Sequence, residues 1–497
     1  EFAKDYYKSL AKRVDIHATE DDDLIQITKK RGFMEVRISD LDKNKELNYT
    51  YYHRIFSDKE TNEVVIYGLD GDDIFNVSGT GSNIRVRLVG GTDDDEYQND
   101  GKGGKIHVYD YPQNSEIPDS KGLKLHLTEE YRLNTYDRKA FKYNNKYVFP
   151  LAGFNPDNGL LLGGFFNGEW RGFKKSPYAM RHFFSGLYSF ETKGYQLNYN
   201  GHFVSTKGKW NLRLTGMYQD DLFSNNFFGI GNNTDNPQEE PLDLDRDYNR
   251  VRNTTVIVKV LAEKPVTRGS VLYIGPKYEY RNVNFTPGRF LADNLDPTNE
   301  LFDRYNFFGG EAGFIFRDVD KPINPHQGID FKFIVDYLRS SENDDYSKAS
   351  LQTNIGVYFP IDRKEYLIWA HKVGAGFTFS DDAFFYHQQQ LGGNWGLRGF
   401  RNERFTGNSA FYYNTDLRLK LFKFRSYIIP STVGIYTGLD IGRVWIENDP
   451  TPDNSKFHVN FGGGFWLTPF EAATIKLSYF TSASEEGRFI FGVGFDF

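Results

Sequence analysis

From Lys146 onward the chain alternates. Tyr195, Leu197, Tyr199 and Phe203 share one parity, and Gln196, Asn198, Asn200 and His202 share the other. Trp210, Leu212, Leu214 and Tyr218 oppose Asn211, Arg213 and Thr215, and Phe411, Tyr413, Leu417, Leu419 and Leu421 oppose Asn414, Asp416, Arg418 and Lys420. Phe457, Val459, Phe461, Phe465 and Leu467 oppose His458, Asn460 and Thr468, and the final stretch sets Phe489, Phe491, Val493, Phe495 and Phe497 against Gly492, Gly494 and Asp496. A period of two places every second side chain on one face of a strand.

Sixteen such segments follow one another: 146–154, 159–170, 181–192, 194–204, 209–219, 250–262, 270–282, 307–318, 328–339, 348–359, 366–379, 409–423, 432–445, 457–468, 473–482 and 488–497. Each is near or above the ~9–11 residues that cross a bilayer at a tilt. Their number is even, as in bacterial outer-membrane barrels. In a soluble sandwich or small soluble barrel the apolar face would point inward. A closed sheet of this many strands is too wide for side chains to fill. Its apolar face therefore points out to lipid and its polar face in to water.

Short breaks fall at Thr192–Gly194, Pro360–Glu365, Phe424–Tyr427 and Phe470–Ala472, and long ones at Asp220–Asn249, Asn284–Asn306, Asp381–Asn408 and Ile446–Lys456. Short turns on one rim and long loops on the other fit such a barrel. Within the acidic stretch 220–247, Phe-Phe-Gly-Ile-Gly-Asn-Asn-Thr (227–234) is expected to pack on a rim.

Residues 1–142 read differently. Val64-Val65-Ile66-Tyr67-Gly68 leads into an Asp-rich turn, and so does Val86-Arg87-Leu88-Val89-Gly90, 22 residues later. A further 22 takes Val86 to Val108. Strand-and-turn units at fixed spacing predict a short parallel β-solenoid. Residues 1–12 are expected to form a short helix and 128–145 a polar connector. The fold class is thus all-β: a sixteen-stranded antiparallel transmembrane β-barrel over 143–497, preceded by a β-solenoid-like domain over 1–142.

Composition narrows this. Phe 45, Tyr 33 and Gly 48 among 497 residues suit many strands. Mean hydropathy is −0.59, and no run of 18 apolar residues exists to form a transmembrane helix. The net charge of −7, with no basic stripe, argues against nucleic acid. With Cys 0, disulfides and thiolate chemistry are excluded. No Gly-x-Ser-x-Gly or His-Glu-x-x-His is present and the histidines are scattered, so no catalytic residue is assigned.

Gly-Gly-Asn-Trp-Gly-Leu-Arg-Gly-Phe (392–400), between the eleventh and twelfth segments, resembles the long-loop signature of the BamA/TamA outer-membrane assembly-factor (bacterial surface antigen) superfamily. That superfamily also holds two-partner-secretion transporters and patatin-fused barrels. Its aliphatic-Arg-Gly-aromatic motif is matched by Leu397, Arg398, Gly399 and Phe400. Gly-Leu-Asp-Ile-Gly-Arg-Val-Trp (438–445) is similar to a strand motif of the family, through Asp440 and Gly442. Phe-Arg-Asp-Val-Asp-Lys-Pro-Ile-Asn-Pro-His-Gln-Gly (316–328) is similar to its Arg-Asp element followed by Pro-x-x-Gly, through Arg317, Asp318, Pro325 and Gly328. Gly492-x-x-Phe495-x-Phe497 resembles the C-terminal assembly signal of outer-membrane proteins, departing from it at Ile490. Equally, it is a last strand ending in Phe.

The resemblance implies that the long loop folds back into the lumen and that Arg398 pairs with Asp440. Parity agrees: Asp440 sides with Gly438 and Gly442, against Leu439 and Ile441. A guanidinium–carboxylate pair can be bidentate; Gly399 permits close approach, and Phe400 can pack on the wall. The alternative is a solvated loop arginine.

Asp70, Asp72, Asp73, Asp93, Asp94 and Asp95 resemble the Asp-rich turns of Gly-Gly-x-Gly-x-Asp calcium repeats, so Ca²⁺ is the one candidate cofactor. Those repeats recur every nine residues rather than 22, and solvated turns are the competing reading.

The resemblance implies outer-membrane protein assembly, insertion or translocation. Family helper domains alternate helices and strands, whereas 1–142 reads as nearly all β. Two other functions stay open: anchor or exporter for a fused upstream hydrolase (metallophosphoesterase or lipase), for which the start at Glu1 without Met leaves room, or structural subunit of a larger complex. Expected surroundings are outer-membrane lipids and lipopolysaccharide, with the N-terminal domain in the periplasm. Expected partners are client outer-membrane proteins or periplasmic and lipoprotein subunits.

Overall fold

The structure is a computed structural model that describes residues 2–101, 105–118, 121–139, 142–155, 157–205, 210–223, 225–236, 246–380, 383–393, 395–446 and 456–493. It divides into two units, Glu1–Lys142 and Tyr143–Phe497.

In the first unit a helix, Phe2–Ala11, precedes two facing sheets. One is parallel and ordered Arg13–His17, Glu63–Leu69, Arg85–Gly91, Ile106–Asp110, Leu123–Leu127. The other is ordered Ser115–Glu116, Asp95–Asn99, Ile74–Gly79, Asp23–Lys30, Phe33–Leu41, Leu47–Ser57. From Glu63 onward the chain visits the sheets alternately, so it coils. Val64, Ile66, Val86, Leu88, Ile106 and Val108 point inward against Ile25, Ile27, Phe75, Val77 and Tyr97. The coil is not strictly periodic. Val64 pairs with Val86, a step of 22, but Val86 pairs with Ile106, a step of 20, and Val108 pairs with Leu88. Val77 and Asn99 are ladder partners, yet Val86 follows Val77 by nine residues and Ile106 follows Asn99 by seven. A turn shorter by two residues shifts the register by two and keeps the same face inward.

The second unit is a closed antiparallel barrel of sixteen strands. They are Asn145–Asn155, Gly159–Trp170, Met180–Ser189, Tyr195–Phe203, Asn211–Gln219, Asn253–Pro265, Ser270–Val283, Arg304–Val319, Gly328–Ser340, Ser347–Pro360, Leu367–Phe379, Ser409–Phe424, Ser431–Trp445, His458–Pro469, Ile475–Ser482 and Arg488–Val493. The exposed rows are apolar: Val258 and Val260, Leu272 and Ile274, Phe461 and Phe465. Shielded rows carry ion pairs instead, Lys277–Asp336 at 2.7 Å and Arg281–Glu279 at 2.7 Å among them. Among the described residues no helix is long and apolar enough to cross a membrane; the strands supply the apolar exterior.

One expected break changes rim. Thr192–Gly194 joins the third and fourth strands, which places it on the rim of the long loops. It is short there because Ser189 and Gly194 are hydrogen-bonded directly, Ser189 N donating to the Gly194 carbonyl at 2.9 Å. On that rim Phe227, Val251, Val283, Leu291, Leu301 and Phe385 form an apolar cluster from several loops. The first and last strands meet at the seam, where the described residues share one ladder position, Phe154 with Phe491. Gly492 lies in the last strand; Phe495 and Phe497 lie outside the described residues.

Candidate functional site

The twelfth, thirteenth and fourteenth strands put three polar side chains in one row. Asn414 is the ladder partner of Asp440, and Asp440 of Asn460. All three are buried, and all three hold the long loop that joins the eleventh and twelfth strands. Within that loop Gln389–Leu391 pairs with Phe405–Gly407, making a small hairpin. Its tip needs glycine: Gly392, Gly393 and Gly396 sit at φ of 128°, 54° and 82°. Their turns bring the Leu397-Arg398-Gly399-Phe400 segment against the wall.

Arg398 is buried, and its backbone N–H donates to Asp440 Oδ2 at 3.0 Å. Its Nε donates to both carboxylate oxygens at 3.0 and 3.1 Å, and Nη2 donates to Oδ1 at 2.5 Å. Nη1 lies 2.9 Å from Asp416 Oδ1, and the guanidinium stands 4.2 Å from the Phe480 ring centre. Asn414 Nδ2 donates to the Gly396 carbonyl and to Asp440 Oδ1, both at 2.6 Å. Gly399 N donates to Asn460 Oδ1 at 3.0 Å.

Small residues make this approach possible. A Cβ on Gly399 would lie 2.6 Å from the Asn460 Cβ, and one on Gly438 would lie 2.6 Å from both Arg398 Nη2 and Asp416 Oδ1. Gly442 leaves room for Leu391 and Leu397, which pack with Phe400, Phe405, Ala410 and Val444. At this row the loop is held by one buried guanidinium between two carboxylates, with an apolar patch beside it.

Beyond the motif, Arg404 pairs with Glu485 and donates to the Thr234 hydroxyl and carbonyl at 2.5 and 2.6 Å. Phe228 lies under both Arg401 and Arg404, 5.1 and 4.9 Å from its ring centre. Gly231 bridges to Thr406, and Asn232 Nδ2 donates to the Val444 carbonyl at 2.8 Å. The 227–234 segment therefore packs on the long loop itself.

Asp416, Asn414, Gly438, Asn460 and Phe480 were not singled out from sequence as part of this site. The signal lay in parity: Asn414 and Asp416 share the polar face of their strand, and Gly438 is the ladder partner of Asp416. The third motif is elsewhere. Arg317 pairs with Asp330 at 3.2 Å and donates to the Pro322 carbonyl at 2.6 Å, at the short turn after the eighth strand. Gly328, at φ 123°, abuts the Asp318 carbonyl, where a Cβ would lie 2.1 Å away. Arg317, Asp318, Pro325 and Gly328 thus belong to that turn and do not join the loop.

In the first unit the aspartates link successive coils. Asp70 Oδ1 accepts from the Thr92 hydroxyl at 2.6 Å, Asp72 Oδ1 from Asp94 N at 3.1 Å, and Asp93 Oδ2 from Gly71 N at 3.1 Å. Asp95 Oδ1 accepts from Asp73 N at 3.1 Å, and Asp73 Oδ1 from Asp23 N at 2.9 Å. Burial, with the carboxylates of Asp110 and Asp73 nearby, pushes Asp95 up to about 10. Burial, helped by Asp23, pushes Asp73 up to about 9. Among the described residues no three of these carboxylates bring ligand atoms within 4.8 Å of one another; Asp320, His326 and Glu365 do. There the Lys321 ammonium sits 2.9 Å from His326 Nδ1 and 3.4 Å from Glu365 Oε2.

The family described as haemolysin secretion/activation protein ShlB/FhaC/HecB matches residues 327–464, a span that includes both Arg398 and Asp440. The barrel is similar in fold to BamA from Haemophilus ducreyi lacking POTRA domains 1–3, at 14% identity and a TM-score of 0.50, over 71% of this chain and 70% of that one. CdiB from Escherichia coli aligns at 13% identity and a TM-score of 0.47, over 76% of this chain and 65% of that one. No curated protein sequence matches the chain. In this barrel Arg398 and Asp440, both motif residues, meet as a buried ion pair.

Proposed function

We propose that the chain moves or inserts polypeptide at the bacterial outer membrane, in barrel-protein assembly or in protein translocation. The observation that carries this reading is the loop held inside a wide, polar lumen by the buried Arg398–Asp440–Asp416 cluster. The lumen is closed by a pinned, exchangeable element rather than by a packed core. The seam, with its one described ladder position, adds a second place where backbone hydrogen bonds can be exchanged. The chemistry is thus exchange of hydrogen bonds, with no covalent step. The resemblance of 327–464 to secretion and activation proteins supports it.

The chain enters the first strand at Asn145, on the rim of the short turns. That rim is periplasmic in outer-membrane barrels, which supports a periplasmic place for residues 1–142. Phospholipid and lipopolysaccharide surround the apolar exterior; clients or lipoprotein subunits are the partners this reading calls for. Depletion of the protein followed by outer-membrane proteomics tests it. General loss of other barrel proteins is the assembly outcome, and loss of a few exported proteins is the translocation outcome. An unchanged profile removes both.

A second reading is that the barrel anchors or exports a fused hydrolase. What favours it is the first unit, which coils as facing β-sheets rather than alternating helices and strands. An unchanged proteome with hydrolase activity lost from the outer membrane is its signature.

A further inference from the structure

Asp157 lies in the connection between the first and second strands, and Arg488 opens the last strand. They face each other across the seam, three residues from Phe154 and Phe491 respectively, the ladder pair that joins the seam among the described residues. Asp157 Oδ2 accepts from Arg488 Nη2 at 2.6 Å. Its Oδ1 accepts from Arg401 Nε at 2.7 Å, and Asn402 N donates to Oδ2 at 3.2 Å. Arg488 Nη1 donates to the Phe400 carbonyl, and Arg250 Nη2 to the Asp157 carbonyl. Asp157, Arg401 and Arg488 are 1%, 5% and 8% exposed, so the cluster is shielded from water.

One carboxylate therefore serves two arginines on two different bodies, the seam strand and the lumen loop. The Arg398 anchor cannot do this, because its partners lie on the twelfth and thirteenth strands. We propose that Asp157 is a positioning residue that keeps the seam shut and ties its opening to movement of the loop. Separating the strands strips Arg488 of its counter-charge, and withdrawing the loop does the same to Arg401. A buried guanidinium without its carboxylate is strongly unfavourable. With Asp157 neutralised, Arg401 and Arg488 face each other as like charges across the seam.

This deepens the transport reading by naming what holds the seam, and it is tested without any client, so either can fail alone. The full chain is refolded into lipid, its folding is checked by heat-modifiable gel migration, and opening events are counted as single-channel conductance in planar bilayers. Asp157→Asn and Arg488→Gln open about tenfold more often than wild type or more. Arg401→Gln keeps the seam pair but cuts its tie to the loop, so it opens more often than wild type and less often than Asp157→Asn, and wild-type opening in it removes the coupling. The sequence has Cys 0, so a Phe154→Cys/Phe491→Cys pair adds the only thiols. Its oxidation returns Asp157→Asn to the wild-type frequency, and reductant releases it. Wild-type opening in Asp157→Asn overturns the proposal, as do openings that persist with the disulfide closed. If Asp157→Asn does not fold, Arg488→Gln decides by the same two criteria.

Discussion

Asp440 accepts from the Arg398 backbone, from its guanidinium and from Asn414. Such a carboxylate is safe in a dry site only while the guanidinium stays. Arg398→Ala leaves Asp440 and Asp416 together without it, a change of about 3–5 kcal/mol for a buried pair. The loss falls on the loop, because the strand ladders do not depend on it. The expected result is a barrel that still shows heat-modifiable migration but is cleaved between 380 and 408 by protease added to the detergent-solubilised protein. Arg398→Lys should not restore protection, since one ammonium cannot span Asp440 and Asp416 as the planar fork does. Protection equal to wild type in Arg398→Ala would show that the apolar patch around Leu397 and Phe400, with the Arg401 and Arg404 ion pairs, holds the loop without Arg398. Lys29 is the opposite case, a buried ammonium with no hydrogen-bond partner on Nζ. Burial, with Lys105 nearby, lowers it to about 8. Below that pH the folded state carries the full cost of the charge. The cost fades as pH rises from about 8 to the unfolded value of 10.5. Lys29→Met should therefore protect the amides of Asp23–Lys30 at pH 7, by on the order of 3 kcal/mol, with the gain shrinking above pH 9. Hydrogen exchange on the full chain reads both parts, and faster exchange in the variant would refute the assignment of a destabilising charge.

At the level of elements, what could be read from sequence follows from which environment each side chain meets. The strands from Asn145 to Val493 were legible because one face meets hydrocarbon and the other water, so the alternation is written residue by residue. The bulge between Lys420 and Phe422 was not: it moves the exposed apolar side chains from Leu417 and Leu421 to Phe422 and Phe424, and the alternation read over 411–421 ends just before that flip. Arg398 and Asp440 were legible as a motif pair. Asp157, Arg401 and Arg488 were not, since they are brought together only when the first and last strands close and the loop folds between them. The coil of the first unit was half legible: the step of 22 from Val64 to Val86 shows in the sequence, and the shorter second step does not. Its aspartate column gives a prediction at this scale. The folded pKa values of Asp73 and Asp95, about 9 and about 10, lie above the ordinary 3.8. Stability from these groups is fully present below pH 4 and is lost as pH rises toward 9 and 10. Asp95→Asn keeps an oxygen to accept from Asp73 N and removes the ionisation. Amides of Arg85–Gly91 and Asp95–Asn99 in the variant should lose less protection between pH 6 and 9 than in wild type, after correction for intrinsic exchange. An identical slope in the two proteins would mean that Asp95 is ionised in the folded coil.

For the whole molecule, the two faces of the wall must tolerate opposite chemistry. Ile355 and Gln352 lie on the same strand, Ser347–Pro360, on opposite parities. Ile355 sits near its middle, 39% exposed, among the apolar exterior rows. Gln352 is exposed on the other parity, its amide 3.5 Å from Gln389 of the lumen loop. An arginine at a lipid-facing midplane position costs about 2–4 kcal/mol, whereas a lumen position leaves it in water. Ile355→Arg should lower the unfolding free energy by that amount in a urea titration of vesicle-embedded protein, scored by heat-modifiable migration. Gln352→Arg should change it by less than about 1 kcal/mol. The comparison holds strand, residue type and added charge constant, so the difference reports only what each face touches. Equal tolerance at the two positions would mean that hydrocarbon does not meet the Ile355 face. The long loop could then no longer be placed in a water-filled lumen, because inside and outside would be assigned the wrong way round.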